Sequence, residues 1–107
     1  MIPKNLVELR NVSIGLIGNC PRCIKKLGYT SGRNIKGKFL SAGEWLQKDI
    51  DEGIIVDDFH FSKGPCEVCG YKLKGIRYVI HGKRKDGELV HLEVCFYCHD
   101  FIDKNNL

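Results

Sequence analysis

The sequence predicts a small α+β fold whose short elements are tied together by cysteines. Three observations predict it. All six cysteines fall into three Cys-x-x-Cys pairs, Cys20/Cys23, Cys66/Cys69 and Cys95/Cys98. Two alternating runs, residues 76–81 and 89–94, flank a turn that carries Gly82 and Gly87. A segment opening at Ser41-Ala42-Gly43-Glu44 has the capping-box pattern ahead of a helical apolar stripe. With 107 residues the chain is one small domain or two very small ones. Such a chain buries only about two-thirds of its unfolded surface, so its core needs support from elsewhere.

Taken in chain order, residues 4–12 read as a short helix through Leu6, Leu9 and Val12, and residues 28–37, with three glycines, read as a loop. A helix is expected over 42–52, with Ala42, Trp45, Leu46 and Ile50 on its core side and Gly53 ending it. Its acids Asp49, Asp51 and Glu52 lie late, against the helix dipole, and call for basic neighbours or water. Residues 54–56 and 59–61 read as one strand interrupted by Asp57-Asp58, or as strand plus loop. Two units are expected, 1–62 with a cysteine knuckle and the amphipathic helix, and 63–107 with the other two pairs.

In the second unit, Gly70 after Cys69 suits a positive φ at the end of a tight turn. The two alternating runs read as a β-hairpin, and the register is expected to pair Tyr78 with Leu92. One face then collects Ile76, Tyr78, Ile80, Val90, Leu92 and Val94, and the other Arg77, Val79, His81, Leu89, His91 and Glu93. His81 and His91 fall on the polar face and read as surface residues. A short helix is expected to open at Cys95-Phe96-Tyr97-Cys98, with that pair in its first turn, where unpaired N–H groups favour thiolate charge.

Hydrophobic content is 43% and charged content 28%, both within the globular range. No apolar run approaches the roughly 20 residues of a bilayer crossing, and the first residues lack a signal sequence, so the expectation is a soluble cytoplasmic protein without membrane contact. The net charge of +4 is uneven: +7 over residues 1–40, −5 over 41–60 and +2 beyond.

In a reducing compartment, cysteines in this spacing read as metal ligands rather than disulfides. Two thiolates three residues apart converge on one tetrahedral ion, and zinc is the expected occupant, with iron–sulfur ligation and thiol redox chemistry as competitors. Cys66, Cys69, Cys95 and Cys98 are expected to hold one zinc. Cys20 and Cys23 need two further partners for a second; the candidates are His60 with another histidine, or a rearranged set with Cys66 and Cys69, and a free thiol pair remains the alternative.

The order knuckle, hairpin, helix, with a ligand pair at each end, resembles a treble-clef zinc finger over Pro65 to about Lys104. The further pattern of Cys-x-x-Cys-His at Cys95–His99, with a strand ending in His81, is similar to zinc-bearing HNH endonucleases. That resemblance implies His81 near the general base and His99 on a catalytic divalent ion. The chain departs from the family at Ile80-His81, where an Asp-His or His-His pair is usual, and at His91 or Leu92 in place of an asparagine. The leading expectation is therefore a non-catalytic zinc protein that contacts DNA, RNA or a protein that handles them. The contacts would come from Arg22, Lys25 and Lys26 in the basic first third and from Lys83, Arg84 and Lys85 at the hairpin tip. A protein-binding adaptor or inhibitor anchored by an exposed Tyr97 is the remaining alternative.

Overall fold

The computed structural model describes residues 6, 8–55 and 59–105. In chain order the elements are β1 (Arg10–Ile14), α1 (Pro21–Lys26), β2 (Arg33–Ile35), β3 (Lys38–Leu40), α2 (Ala42–Asp51), β4 (Phe59–Ser62), β5 (Gly75–Lys83), β6 (Leu89–Val94) and α3 (Phe96–Asn105). The fold is α+β, with one four-stranded and one two-stranded antiparallel sheet among the described residues. The elements fall into two compact units, one formed by residues 1–15 with 57–107 and the other by residues 16–56.

In the first unit β5 is the spine of the larger sheet. Tyr78 pairs with Phe59 on one side and Val94 on the other, and Ile80 pairs likewise with Ile14 and Leu92, so β4 and β1 follow one another along one edge of β5. The β5–β6 register therefore differs by two residues from the expected pairing of Tyr78 with Leu92. The turn sets it: Arg84 N donates to the Glu88 carbonyl and Gly87 N to that of Arg84, Gly87 takes φ 87°, and Asp86 Oδ1 accepts from Glu88 N at 2.9 Å. A shift of two preserves which side chains share a face.

The apolar face of this hairpin forms the core. Ile80 and Val94 are buried with Leu6, Cys66, Cys95, Cys98 and Ile102 of α3, and Tyr78, Leu92 and Phe101 pack at its margin. The other face is buried as well, contrary to the reading of His81 and His91 as surface residues: Arg77 is 2% exposed, His81 1% and His91 9%. Alternation of apolar and polar residues marks a water-facing side only when nothing engages the polar groups internally. Here carbonyls accept from Arg77 Nη2 and from His81, whose other ring nitrogen faces His91, while Arg77 Nε has no partner among the described residues.

The expected helix over 4–12 ends differently. Residues 10–14 form β1, in which β-branched Val12 and Ile14 alternate and Asn11, at φ 52°, marks a bulge between the Arg10 and Ser13 pairings. Of the remainder, residues 4, 5 and 7 lie outside the described residues.

In the second unit, the segment 28–37 expected to be a loop contains β2 and the turn of the β2–β3 hairpin. Its two-residue turn, Lys36 at φ 51° and Gly37 at φ 81°, has the backbone hand that matches strand twist. Helix α2 has its capping box: Ser41 Oγ accepts from Glu44 N and Glu44 Oε1 from Ser41 N. Leu46 is fully buried, whereas Trp45 is half-buried, edge-on to Tyr29 at 4.8 Å with the Arg33 guanidinium 4.3 Å from its ring. The late acids have partners: Asp49 accepts from the Tyr29 hydroxyl at 2.5 Å, Asp51 from Gln47 Nε2, and Glu52 pairs with Lys48. Burial first and Asp49 second push the Tyr29 hydroxyl up to about 12. Beyond α2, Ile54 and Ile55 are not a strand; their N–H groups return to the Asp49 carbonyl past Gly53 at φ 72°, closing the helix end. Residues 56–58 lie outside the described residues.

Gly18 supports α2 by close approach. Its N–H donates to Gln47 Oε1 at 2.7 Å, and a Cβ there would lie 2.5 Å from both Gln47 Cβ and the Gly43 carbonyl oxygen. Gly18→Ala is expected to destabilise the protein by about 1–3 kcal/mol through this overlap. Gly64→Ala, whose Cβ meets only Ser62 Oγ at 3.5 Å, is expected to lie near wild type. Urea titration of the zinc-loaded chain compares them.

Candidate metal centres

Four sulfurs converge in the first unit. Cys66 and Cys69 lie in the turn before β5, Cys95 follows β6, and Cys98 sits in the first turn of α3. Their Sγ atoms all lie within 4.8 Å of one another. Cys66 and Cys98 are separated by 3.7 Å, as are Cys69 and Cys95. Four thiolates about 2.3 Å from one tetrahedral zinc have sulfurs about 3.8 Å apart, so the observed spacing fits that ion. It is far too long for a disulfide, and all six cysteines are free thiols.

The backbone holds the turn. Cys66 N donates to the Tyr71 carbonyl, Gly70 N to that of Cys66, and Gly70 takes φ 78° as its place in the turn requires. Cys69 N and Cys95 N both point at Cys66 Sγ, at 3.5 and 3.3 Å. Burial raises the Cys66 thiol, but backbone donors from Cys69, Cys95 and Val68 outweigh it and bring the group down to about 7. Burial, then the Cys66 charge, push Cys98 upward, and burial raises Cys69. A cation must therefore displace protons to enter.

Arg77 is a structural residue that sequence reasoning left on a polar face without a role. Its Nη2 donates to the carbonyls of Leu73 at 2.6 Å, Gly64 at 3.1 Å and Tyr71 at 3.4 Å, and its Nη1 to that of Ile76. One guanidinium thus gathers the loop that carries Cys66 and Cys69, a task its fan of donors suits. No local pattern signals this, because three of the four carbonyls, those of Gly64, Tyr71 and Leu73, come from a loop without regular structure.

His81 and His91 are cross-strand partners on β5 and β6. His81 Nδ1 lies 2.8 Å from the Gly15 carbonyl oxygen, which can only accept, so Nδ1 carries the proton and Nε2 presents a lone pair. That Nε2 faces His91 Nδ1 at 3.2 Å, close to the roughly 3.3 Å between two nitrogens on one tetrahedral zinc. The far side of His91 lies 3.6 Å from Glu93 Oε1, and Glu93 Oε2 lies 3.4 Å from His60 Nε2. A carbonyl behind one imidazole and a carboxylate behind the other is the outer arrangement that orients metal-bound histidines.

Cys20 and Cys23 use a local geometry like that of Cys95 and Cys98. Cys20 caps α1, Pro21 takes its first position, Cys23 lies in the first turn, and Ile24 N returns to the Cys20 carbonyl as His99 N does to that of Cys95. Burial, then the neighbouring Cys20, raise Cys23 to about 11 against a backbone donor at Ile17. Cys20 and Cys23 are both buried, a thiol pair held within its own unit. The four-thiolate set of the first unit suits zinc, giving a net −2 charge with the ion.

Of the candidate partners for the first pair, His60 lies beside Glu93, and Cys66 and Cys69 share their site with Cys95 and Cys98. The adjacency of His81 and His91 depends on the β5–β6 register, which sequence alone placed two residues away. His99 stacks on Tyr78 at 4.3 Å, on the face opposite His81, so the two residues assigned to an HNH site do not meet. Lys83, Arg84 and Lys85 are exposed at the β5–β6 tip, with Arg84 Nε 4.0 Å from Glu88, and Arg22, Lys25 and Lys26 are exposed on α1. No helix among the described residues is long and apolar enough to cross a membrane. Comparison with family models, curated proteins and solved structures finds no match for this chain.

Native mass spectrometry of the intact chain is expected to show zinc held by the four-thiolate set. Cys98→Ser should lose one zinc relative to the wild type, and His99→Ala, which removes no donor of the set, should keep it; unchanged zinc content in Cys98→Ser would contradict this site. Because the thiols must shed protons to bind, acidification from about pH 7 to about pH 5 is expected to release zinc and lower the thermal midpoint, and excess zinc should oppose both changes.

Proposed function

We propose that this chain is a non-catalytic zinc-binding protein that contacts nucleic acid, its part from Pro65 to about Lys104 being a treble clef. One observation carries the non-catalytic reading: His81, the histidine that the endonuclease resemblance places near the general base, is committed inward. It is 1% exposed, its Nδ1 lies 2.8 Å from the Gly15 carbonyl, and its Nε2 faces a second imidazole at 3.2 Å. A set of four protein donors leaves zinc no open position for substrate, which is the pattern of structural sites. The order knuckle, hairpin and helix around the four-thiolate set supports the treble-clef reading. A reducing compartment would keep the six thiols available as ligands.

For nucleic acid the support is the chemistry of the exposed surface. Lys83, Arg84 and Lys85 project together from a hairpin tip, where long cations reach phosphates without disturbing a core. Arg22, Lys25 and Lys26 offer the same chemistry on α1.

Fluorescence anisotropy with labelled DNA and RNA at several salt concentrations is the test. Binding is expected to weaken steeply with salt, and replacing Lys83, Arg84 and Lys85 by Ala is expected to lower the logarithmic salt slope by up to about 3. An affinity indifferent to salt and to these charges would sink the reading. Cleavage of the probe in magnesium, manganese or nickel would overturn its non-catalytic part.

A further inference from the structure

The sheet face that carries the core of the first unit is apolar along its whole length, yet only part of it is covered. Ile80 and Val94 lie buried against Ile102 of α3 and Leu6. Toward β4 the same face continues in the open. Phe59 stands opposite Tyr78 and Phe61 opposite Ile76, and Phe59 and Phe61 are 50% and 58% exposed. The rings are continuous: Tyr78 meets Phe59 at 5.9 Å, Phe96 at 6.3 Å and His99 at 4.3 Å, and Phe96 meets Tyr97 at 6.1 Å. Tyr97, at the far end, is 75% exposed. Exposing this much aromatic surface in one stretch is unfavourable in water and marks a binding face.

The surrounding charge indicates the occupant. Lys63 follows β4 directly, Lys74 precedes β5, and Lys72 lies in the loop before it; all three are exposed at the end of the face where Ser62 pairs with Gly75. On α3, which carries Phe96 and Tyr97, Asp100 is paired with Lys104 at 3.1 Å. Aromatic faces bordered by ammonium groups match the two chemistries of an unpaired strand, whose bases stack and whose phosphates carry charge. A duplex keeps its bases stacked on one another and offers these rings nothing to receive.

We infer that this ring-lined face, with Phe59, Phe61, Tyr78, Phe96 and Tyr97 stacking on bases and Lys63, Lys72 and Lys74 meeting phosphates, binds single-stranded nucleic acid. The inference rests on the nucleic-acid reading above and narrows it to unpaired strands and to one surface.

The test uses the zinc-loaded full chain, a labelled oligothymidine of about 12 nucleotides and a duplex of equal length, read by anisotropy. Phe59→Leu and Tyr97→Leu keep apolar bulk, remove a ring and replace no metal donor. Each is expected to weaken single-strand binding about tenfold while duplex binding and zinc content hold. Phe59→Tyr and Tyr97→Phe, which keep the ring, should bind as the wild type does. Unchanged single-strand affinity in both leucine variants would overturn the stacking face and leave nucleic-acid binding by the basic tip standing. Failure to bind either probe at low salt would overturn both. Self-association that disappears in Phe59→Leu would assign the face to a second copy of the chain and overturn the inference.

Discussion

Four sulfur atoms at tetrahedral spacing are the constraint on which the first unit depends. Cys66 and Cys69 come from a turn, Cys95 from the end of β6 and Cys98 from the first turn of α3. Bringing these sulfurs together fixes where the loop ends, where the second strand stops and how the helix leaves it. At Cys66 backbone donors outweigh the cost of burying the thiolate, and two backbone N–H groups point directly at its sulfur. In a chain with so small an apolar core, free energy gained by binding a cation at such a point becomes folding free energy.

Burial on both faces of β5 and β6 follows from how their polar residues are satisfied. Arg77 would be costly to bury alone, but the carbonyls around it sit in an irregular loop that needs donors, so the guanidinium and the loop complete each other. His81 is buried on the same principle, with the Gly15 carbonyl fixing its tautomer. These polar groups are thereby held within the architecture of the sheet. Exposed chemistry lies in side chains that no core requires: the cations of the β5–β6 tip and of α1, and the rings that continue the core face into solvent.

Some features were legible because their causes are local. The capping box at Ser41 and Glu44 marks a helix start, the glycine after Cys69 marks a tight turn, and each depends on residues within a few positions of one another. The β2–β3 hairpin was missed because its turn places Lys36, an ordinary lysine, at positive φ, which no composition rule flags. Residues 10–14 were misread because an apolar spacing of three competed with β-branched alternation, and pairing with β5 decided between them.

By itself, the sequence determined the α+β class, the thiolate pairs whose spacing suits a metal ion, the hairpin with its two sets of side chains, and the helix that follows the third cysteine pair. These depend on spacing and on the period of two, which survive a register error of two residues. Only the tertiary structure decided which donors share a site, that His81 and His91 face one another, and that Arg77 closes the knuckle loop. Those outcomes depend on contacts between residues distant along the chain. Such contacts are set by how strands pair and by where buried polar groups find partners, and no local pattern of residue types encodes either.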